Sequence, residues 1–150
     1  DNLAGLDCAY AIAANPEIRR CVQAITNGVF FSPNVFGLTA TNTAILDGEK
    51  WHNELIQYLN ANLELVYTEI NKLAGFYMLK PEATYLAWID GREFVAKHGI
   101  PDLFKFFEQH GVGLSDGGDF GSVGFVRLNY ATTRANLNEA LARMKVAVNI

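Results

Sequence analysis

Arg127 is the residue whose surroundings most demand a chemical explanation. It sits in the middle of Phe125-Val126-Arg127-Leu128-Asn129-Tyr130, an otherwise apolar stretch of strand type. Strand alternation puts Val126, Leu128 and Tyr130 on one face, and Phe125, Arg127 and Asn129 on the other. A charged side chain among apolar neighbours is costly unless an anion meets it. A guanidinium is a planar fork that matches a carboxylate through two parallel hydrogen bonds. Two partners would satisfy it: the carboxylate of a ligand, or an Asp or Glu of the protein itself. The strand pattern does not choose between them.

The segment before this strand, Ser115-Asp116-Gly117-Gly118-Asp119-Phe120-Gly121, is rich in glycine. Glycines let a backbone approach a ligand closely, and successive N–H groups can hold an anion. The segment lacks the Gly-Lys-Ser/Thr ending of a P-loop, and an ordinary flexible loop accounts for it better. Pro33-Asn34-Val35-Phe36-Gly37 reads as a connector rather than a binding loop. The three histidines, His52, His98 and His110, are far apart, so no Ser/His/Asp or Cys/His arrangement can be built. Cys8 and Cys21 have no metal-ligand spacing, and no metal site is expected. The pattern fits reduced thiols in a cytoplasmic protein.

Several elements would have to position Arg127. Residues 6 to 14 read as a strand covered on both faces. Asn15-Pro16 starts a helix that runs to about Thr26 and ends at Asn27-Gly28. Phe30 to Phe36 is aromatic and irregular, and Thr39 to Ile45 is helical. Trp51, Leu55, Leu59, Leu63, Val66, Ile70 and Leu73 recur every three or four residues, which is one face of a long helix ended by Gly75. Phe76 to Leu79 and Thr84 to Ile89 read as strands. Pro101 opens a helix that presents Leu103, Phe106 and Phe107 and stops at Gly111. Val112 to Leu114 forms an edge strand. The Arg127 strand follows, and Thr132 or Thr133 caps a last helix with Leu137, Leu141, Met144 and Val148 on one face. The order implies an α+β fold, a small sheet packed under helices with one long helix. Residues 1 to 30 look like a remnant of a different unit, and residues 31 to 150 like the small domain.

The composition agrees with a globular domain. Half of the 150 residues are hydrophobic, 19% are charged, and the net charge is −4. Scattered Lys and Arg argue against nucleic acid as a partner. No apolar run is long enough to cross a bilayer, and the opening residues, lacking a basic n-region, are not expected to be a signal peptide. The first residue is Asp1 rather than Met, so a processed or truncated chain is expected.

Four motifs resemble one family. Asn2-Leu3-Ala4-Gly5-Leu6 is similar to the segment after the Schiff-base lysine of class I/II pyridoxal-phosphate (PLP) aminotransferases. With it come Pro33-Asn34-Val35-Phe36-Gly37, then Lys80-Pro81-Glu82-Ala83-Thr84-Tyr85-Leu86-Ala87-Trp88, and last Gly124-Phe125-Val126-Arg127-Leu128-Asn129-Tyr130-Ala131-Thr132. Together they resemble the cystathionine β-lyase (C–S lyase) branch over nearly the whole chain, in order. The resemblance implies fold type I, in which a large PLP-binding α/β domain is followed by a small C-terminal domain and the enzyme is a homodimer. It implies that Arg127 grips the α-carboxylate of an amino-acid substrate. It also places the Schiff-base lysine before Asp1, so no catalytic residue is expected within this chain, and the PLP-binding residues stay unassigned. Asp7 stands where many aminotransferases carry a phosphate-binding arginine, a departure that the lyase branch often shares. The implied reaction is C–S β-elimination, with the cofactor as electron sink. Transamination on the same fold and a non-catalytic binding or regulatory domain derived from it are the alternatives.

Overall fold

The computed structural model describes residues 3–29 and 32–149. Asn2 of the opening motif, and Phe30 and Phe31 of the aromatic stretch, lie outside them. The chain divides into two compact units, Asp1–Glu54 and Leu55–Ile150.

In the first unit a 3₁₀ turn at Ala4–Leu6 precedes helices α1 (Pro16–Thr26) and α2 (Val35–Asp47). The strand expected over 6 to 14 does not form. Beyond the 3₁₀ turn this stretch is irregular and mostly exposed. A strand exists only through its ladder, and no described residue pairs with this one. α1 begins as its sequence dictates, with Pro16 in first place and the Asn15 side chain accepting from the Glu17 N–H at 2.8 Å. α2 starts earlier than the aromatic pattern suggests. Asn34 caps it, accepting from Gly37 N–H at 2.8 Å while its amide donates to the Leu6 carbonyl at 3.0 Å. Val35 and Phe36 are therefore helical, and the Pro33–Gly37 motif is a helix start.

Helix α3 spans Glu49–Ile70. Its expected stripe is buried at Leu59, Leu63, Val66 and Ile70. Trp51, expected in the same stripe, is exposed, and Leu73 packs against the buried part from the turn beyond the helix. Gly75 then reverses the chain at φ 81°.

The remainder of the second unit is a four-stranded sheet with short helices. Its strands are β1 (Tyr77–Met78), β2 (Leu86–Asp90), β3 (Ser115–Asp116) and β4 (Phe125–Asn129). Their order is β1-β2-β4-β3, every pair antiparallel. The expected edge strand at Val112–Leu114 is displaced to Ser115–Asp116, because the pairing of those two residues with Arg127 and Val126 fixes the register. Val112 turns into the core instead. Helix α4 (Arg92–His98) has no counterpart in the expected elements. It is two turns long between Gly91 and Gly99, and buries only Phe94, too short a stretch to show a period. Helix α5 is Leu103–Gln109, capped by Asp102 rather than begun by Pro101. Helix α6 (Arg134–Ala147) is capped by Thr133.

One face of the sheet makes the core. Met78, Ala87, Ile89, Val126 and Leu128 are buried there with Phe94, Phe107, Leu137 and Met144 from the helices. Burying each Leu- or Phe-sized side chain contributes about 1.5–3 kcal/mol. The alternation expected in β4 is the one found: Val126 and Leu128 point into this core, Phe125 and Arg127 away from it.

Candidate functional site

The site lies on the sheet face opposite the core. β4 is an inner strand, so Arg127 has a neighbour on each side, Trp88 on β2 and Ser115 on β3. Directly opposed residues share a face. Nη2 of Arg127 donates to Ser115 Oγ at 3.1 Å. Its guanidinium carbon lies 4.6 Å from the centroid of the Phe120 ring, a cation–π distance. Trp88 meets Phe120 edge-on at 5.8 Å and stacks on Phe125 at 5.5 Å. Arg127 is thus half-buried in a ring of aromatic groups and one hydroxyl.

Among the described residues no carboxylate lies within salt-bridge distance of Arg127. The ion pairs found are Arg20–Glu17, Lys72–Glu69, Lys80–Glu64, Arg92–Asp90, Lys105–Asp102 and Arg143–Glu139. Of the two partners left open by the sequence, the internal acid is not seen. A partly desolvated guanidinium with no counter-charge can receive a planar anion through two hydrogen bonds.

The glycine-rich segment is neither a flexible loop nor an anion nest. It is a tight 3₁₀ turn, Gly117–Phe120, capped by Asp116, whose side chain accepts from Gly118 N–H at 2.9 Å. The N–H groups of Gly121 and Ser122 bond back to the Gly118 and Gly117 carbonyls, so they are not offered to a ligand. Gly117 is needed for space: a Cβ there would come within 2.5 Å of the Phe125 and Ser122 carbonyl oxygens. The turn delivers Phe120 to Arg127.

The strand ends are tied down from below. Tyr130 follows β4, and its phenol donates to the Thr84 carbonyl at 3.0 Å. Burial pushes the Tyr130 pKa up, which keeps it a donor. Buried Asn62 of α3 donates to the Tyr130 and Thr132 carbonyls at 2.9 and 3.2 Å. Thr84 itself holds a left-handed backbone, φ 71°, an unfavourable conformation for a β-branched residue.

The other candidates are structural. The His98 ring lies tilted against Phe94 at 4.6 Å, and His110 Nδ1 contacts the Phe106 carbonyl at 2.7 Å. Cys8 and Cys21 are unpaired. Among the described residues no group of three His, Cys, Asp or Glu could hold a metal, and no helix is long and apolar enough to cross a membrane. Ser115 and Phe120 were not singled out by the sequence, although both stood in the glycine-rich motif. What would have found them is the register Ser115 to Arg127, which exists only once β3 and β4 pair.

An antiparallel sheet under helices, with an arginine on the outer face of an inner strand and no carboxylate in salt-bridge distance of it among the described residues, defines an α+β domain. The chain belongs to the class I and II aminotransferase family, whose model matches residues 2–144. It is 36% identical over 160 residues to a protein named a putative cystathionine β-lyase of Mycobacterium leprae, covering 95% of this chain and 39% of that one. It superposes on the crystal structure of OvoB with a TM-score of 0.91 and 37% identity, over 99% of this chain and 38% of that chain. A putative PLP-dependent β-cystathionase of Corynebacterium diphtheriae gives a TM-score of 0.84 and 34% identity, over 99% and 40%. The resemblance read from the four motifs is borne out, and the fold is that of the family's small C-terminal domain. The chain spans about two fifths of the length of these relatives, 38% to 40%.

Proposed function

We propose that the whole protein is a PLP-dependent enzyme that cleaves a C–S bond of an amino acid by β-elimination, and that Arg127 grips the substrate α-carboxylate. The single observation that carries the site assignment is the Arg127 guanidinium: half-buried, oriented by Ser115 and Phe120, and with no carboxylate in salt-bridge distance among the described residues. The reaction class is supported by the names of the relatives, a β-lyase and a β-cystathionase. Fixing the carboxylate fixes the Cα substituents relative to the reacting groups, which removes orientational freedom before chemistry. In this reading residues 1 to 30 go with the large cofactor-bearing domain and residues 31 to 150 form the small one. The enzyme is taken as a homodimer because the family resemblance implies one, and as cytoplasmic because Cys8 and Cys21 are unpaired.

The described site is read as the carboxylate end of a substrate, and no described residue is assigned to the cofactor. Lys72, Lys80 and Lys105 are in ion pairs with Glu69, Glu64 and Asp102. Lys50, Lys97 and Lys145 lie on α3, α4 and α6. Asp7, which by the resemblance stands where many aminotransferases carry a phosphate-binding arginine, is exposed at φ 49°. No step of cofactor chemistry is therefore assigned to this chain.

The test is to incubate the full-length protein with cystathionine and, separately, with an amino acid and a 2-oxo acid. Pyruvate release without amino transfer is expected; amino transfer without pyruvate would make the protein a transaminase. The chain alone, mixed with PLP and cystathionine, should turn over no faster than free PLP. Faster turnover would mean that the chain supplies cofactor-binding residues after all.

A further inference from the structure

We infer that the β3–β4 segment, through Ser115 and Phe120, is a clamp that sets which edge of the Arg127 guanidinium is presented to a carboxylate. The inference rests on Arg127 being the carboxylate grip. Ser115 and Phe120 are positioning residues: neither would touch the substrate, and both act through Arg127.

The geometry has three parts. A guanidinium has two edges that can hold a carboxylate bidentately, the end pair Nη1/Nη2 and the side pair Nε/Nη2. Nη2 supplies one hydrogen to each edge. Ser115 Oγ engages Nη2 at 3.1 Å, so one edge is taken and the other stays open. Phe120 then fixes the plane. Its ring centroid is 4.6 Å from the guanidinium carbon, and Trp88 supports that ring edge-on. Phe120 is 52% exposed, so core packing does not explain an aromatic at this position. The third part is the turn itself. Asp116 caps it, Gly117 lets it pass under the Phe125 and Ser122 carbonyls, and Gly121 closes it at φ 78°. This geometry gives the glycine-rich motif a role, which is to fold the short span between the hydroxyl and the ring so that both reach one guanidinium.

An arginine held in one plane loses less rotamer freedom on binding than a free one. The clamp should thus appear as affinity for carboxylates rather than as stability. The experiment uses the full-length holoenzyme with Ser115→Ala, Ser115→Thr, Phe120→Leu and, as the reference, Arg127→Ala. For each, kcat/KM is measured with an amino-acid substrate and with its decarboxylated amine, together with the Ki of an unreactive aliphatic carboxylate and a melting curve. Ser115→Ala should cost roughly tenfold in kcat/KM for the amino acid, as expected for loss of a hydrogen bond to a charged group. Phe120→Leu should cost about three- to tenfold, as expected for a lost cation–π contact. The carboxylate Ki should rise in parallel, and the amine should lose much less. Ser115→Thr, which keeps the hydroxyl, should restore most of the Ser115→Ala loss. If Arg127→Ala selects against the amino acid while Ser115→Ala and Phe120→Leu do not, the clamp is wrong and the grip stands. If Arg127→Ala affects both substrates equally, the grip itself is wrong. Equal losses for amino acid and amine with a lowered Tm in the Ser115 and Phe120 variants would also overturn the clamp, as a purely structural role.

Discussion

Two arginines, one on an inner strand and one at the start of the helix that follows β2, have opposite settings. Arg92 lies beyond the end of β2 and Arg127 in the middle of β4, and each covers a phenylalanine ring: Phe125 at 4.8 Å and Phe120 at 4.6 Å. Arg92 has its anion. Asp90 accepts from Nε at 3.0 Å and from Nη2 at 2.7 Å, a bidentate pair. Among the described residues Arg127 has a hydroxyl as its hydrogen-bond partner and no carboxylate. An arginine that is already neutralised is part of the scaffold. One that is oriented but not neutralised is, in the function proposed above, the receptor for a substrate carboxylate. Residue type and stacking do not separate the two; the presence of an internal carboxylate does.

The comparison breaks most visibly at the arginines themselves. Arg127→Ala in the full-length protein should lower kcat/KM for an amino acid by roughly 30-fold to several thousand-fold. That corresponds to about 2–5 kcal/mol for removing one partner of a buried charge pair. Arg127→Lys should recover part of the loss, since an ammonium keeps the charge and loses the fork. Arg92→Ala should change the same constant by only a few-fold. Steady-state assays of the three variants decide this, and a large loss in Arg92→Ala alone would reverse the assignment of the two sites.

A smaller effect is expected in the turn that serves Arg127. Gly117→Ala must push Cβ against two backbone carbonyls, so it should cost about 1–3 kcal/mol, the usual range for overpacking, read from a denaturant melt. Arg92 depends on no such turn. The smallest effect concerns the Asp90 pair. The hydrogen bonds from Arg92 hold the Asp90 carboxyl below its ordinary value of 3.8. A depressed folded pKa stabilises above the unfolded pKa and is lost as pH falls through the folded value. The Tm difference between the wild-type protein and Asp90→Asn should accordingly be constant at neutral pH and close below pH 3.8. Arg127, with no acid partner among the described residues, should show no matching acid-dependent difference when replaced.

Much of this arrangement is legible in the sequence. The faces of β4 follow from strict alternation over Phe125 to Tyr130, and the α6 stripe from Leu137, Leu141 and Met144 at helical spacing, all of which are buried as expected. The long stripe of α3 is legible from Leu59 onward for the same reason. Where the expectation failed, the deciding partner was remote in sequence or too brief to leave a period. Residues 6 to 14 have strand composition, yet composition cannot supply a neighbouring strand. α4 has two turns and one buried side chain. β3 is two residues long, and its place was set by pairing with β4 rather than by its own sequence. The site divides in the same way. Arg127 was conspicuous as a charge in an apolar strand, whereas Ser115 and Phe120 gain their meaning only from the register that brings them to it.

That register also has a time dimension. β4 is laddered on both sides, by five pairs to β2 and two to β3. Local openings in a protein span free energies from near zero at short, exposed segments up to the global value in core strands. The two-residue strand β3 should open far more often than β4, so in hydrogen exchange the Ser115 amide, which faces Arg127 across the ladder, should fade well before those of Val126 and Leu128. The hydroxyl that orients the guanidinium is then the transient half of the pair, and the strand that carries the guanidinium is the permanent half. Arg127 keeps its place through many openings of its clamp, and its orientation is renewed each time the short strand closes.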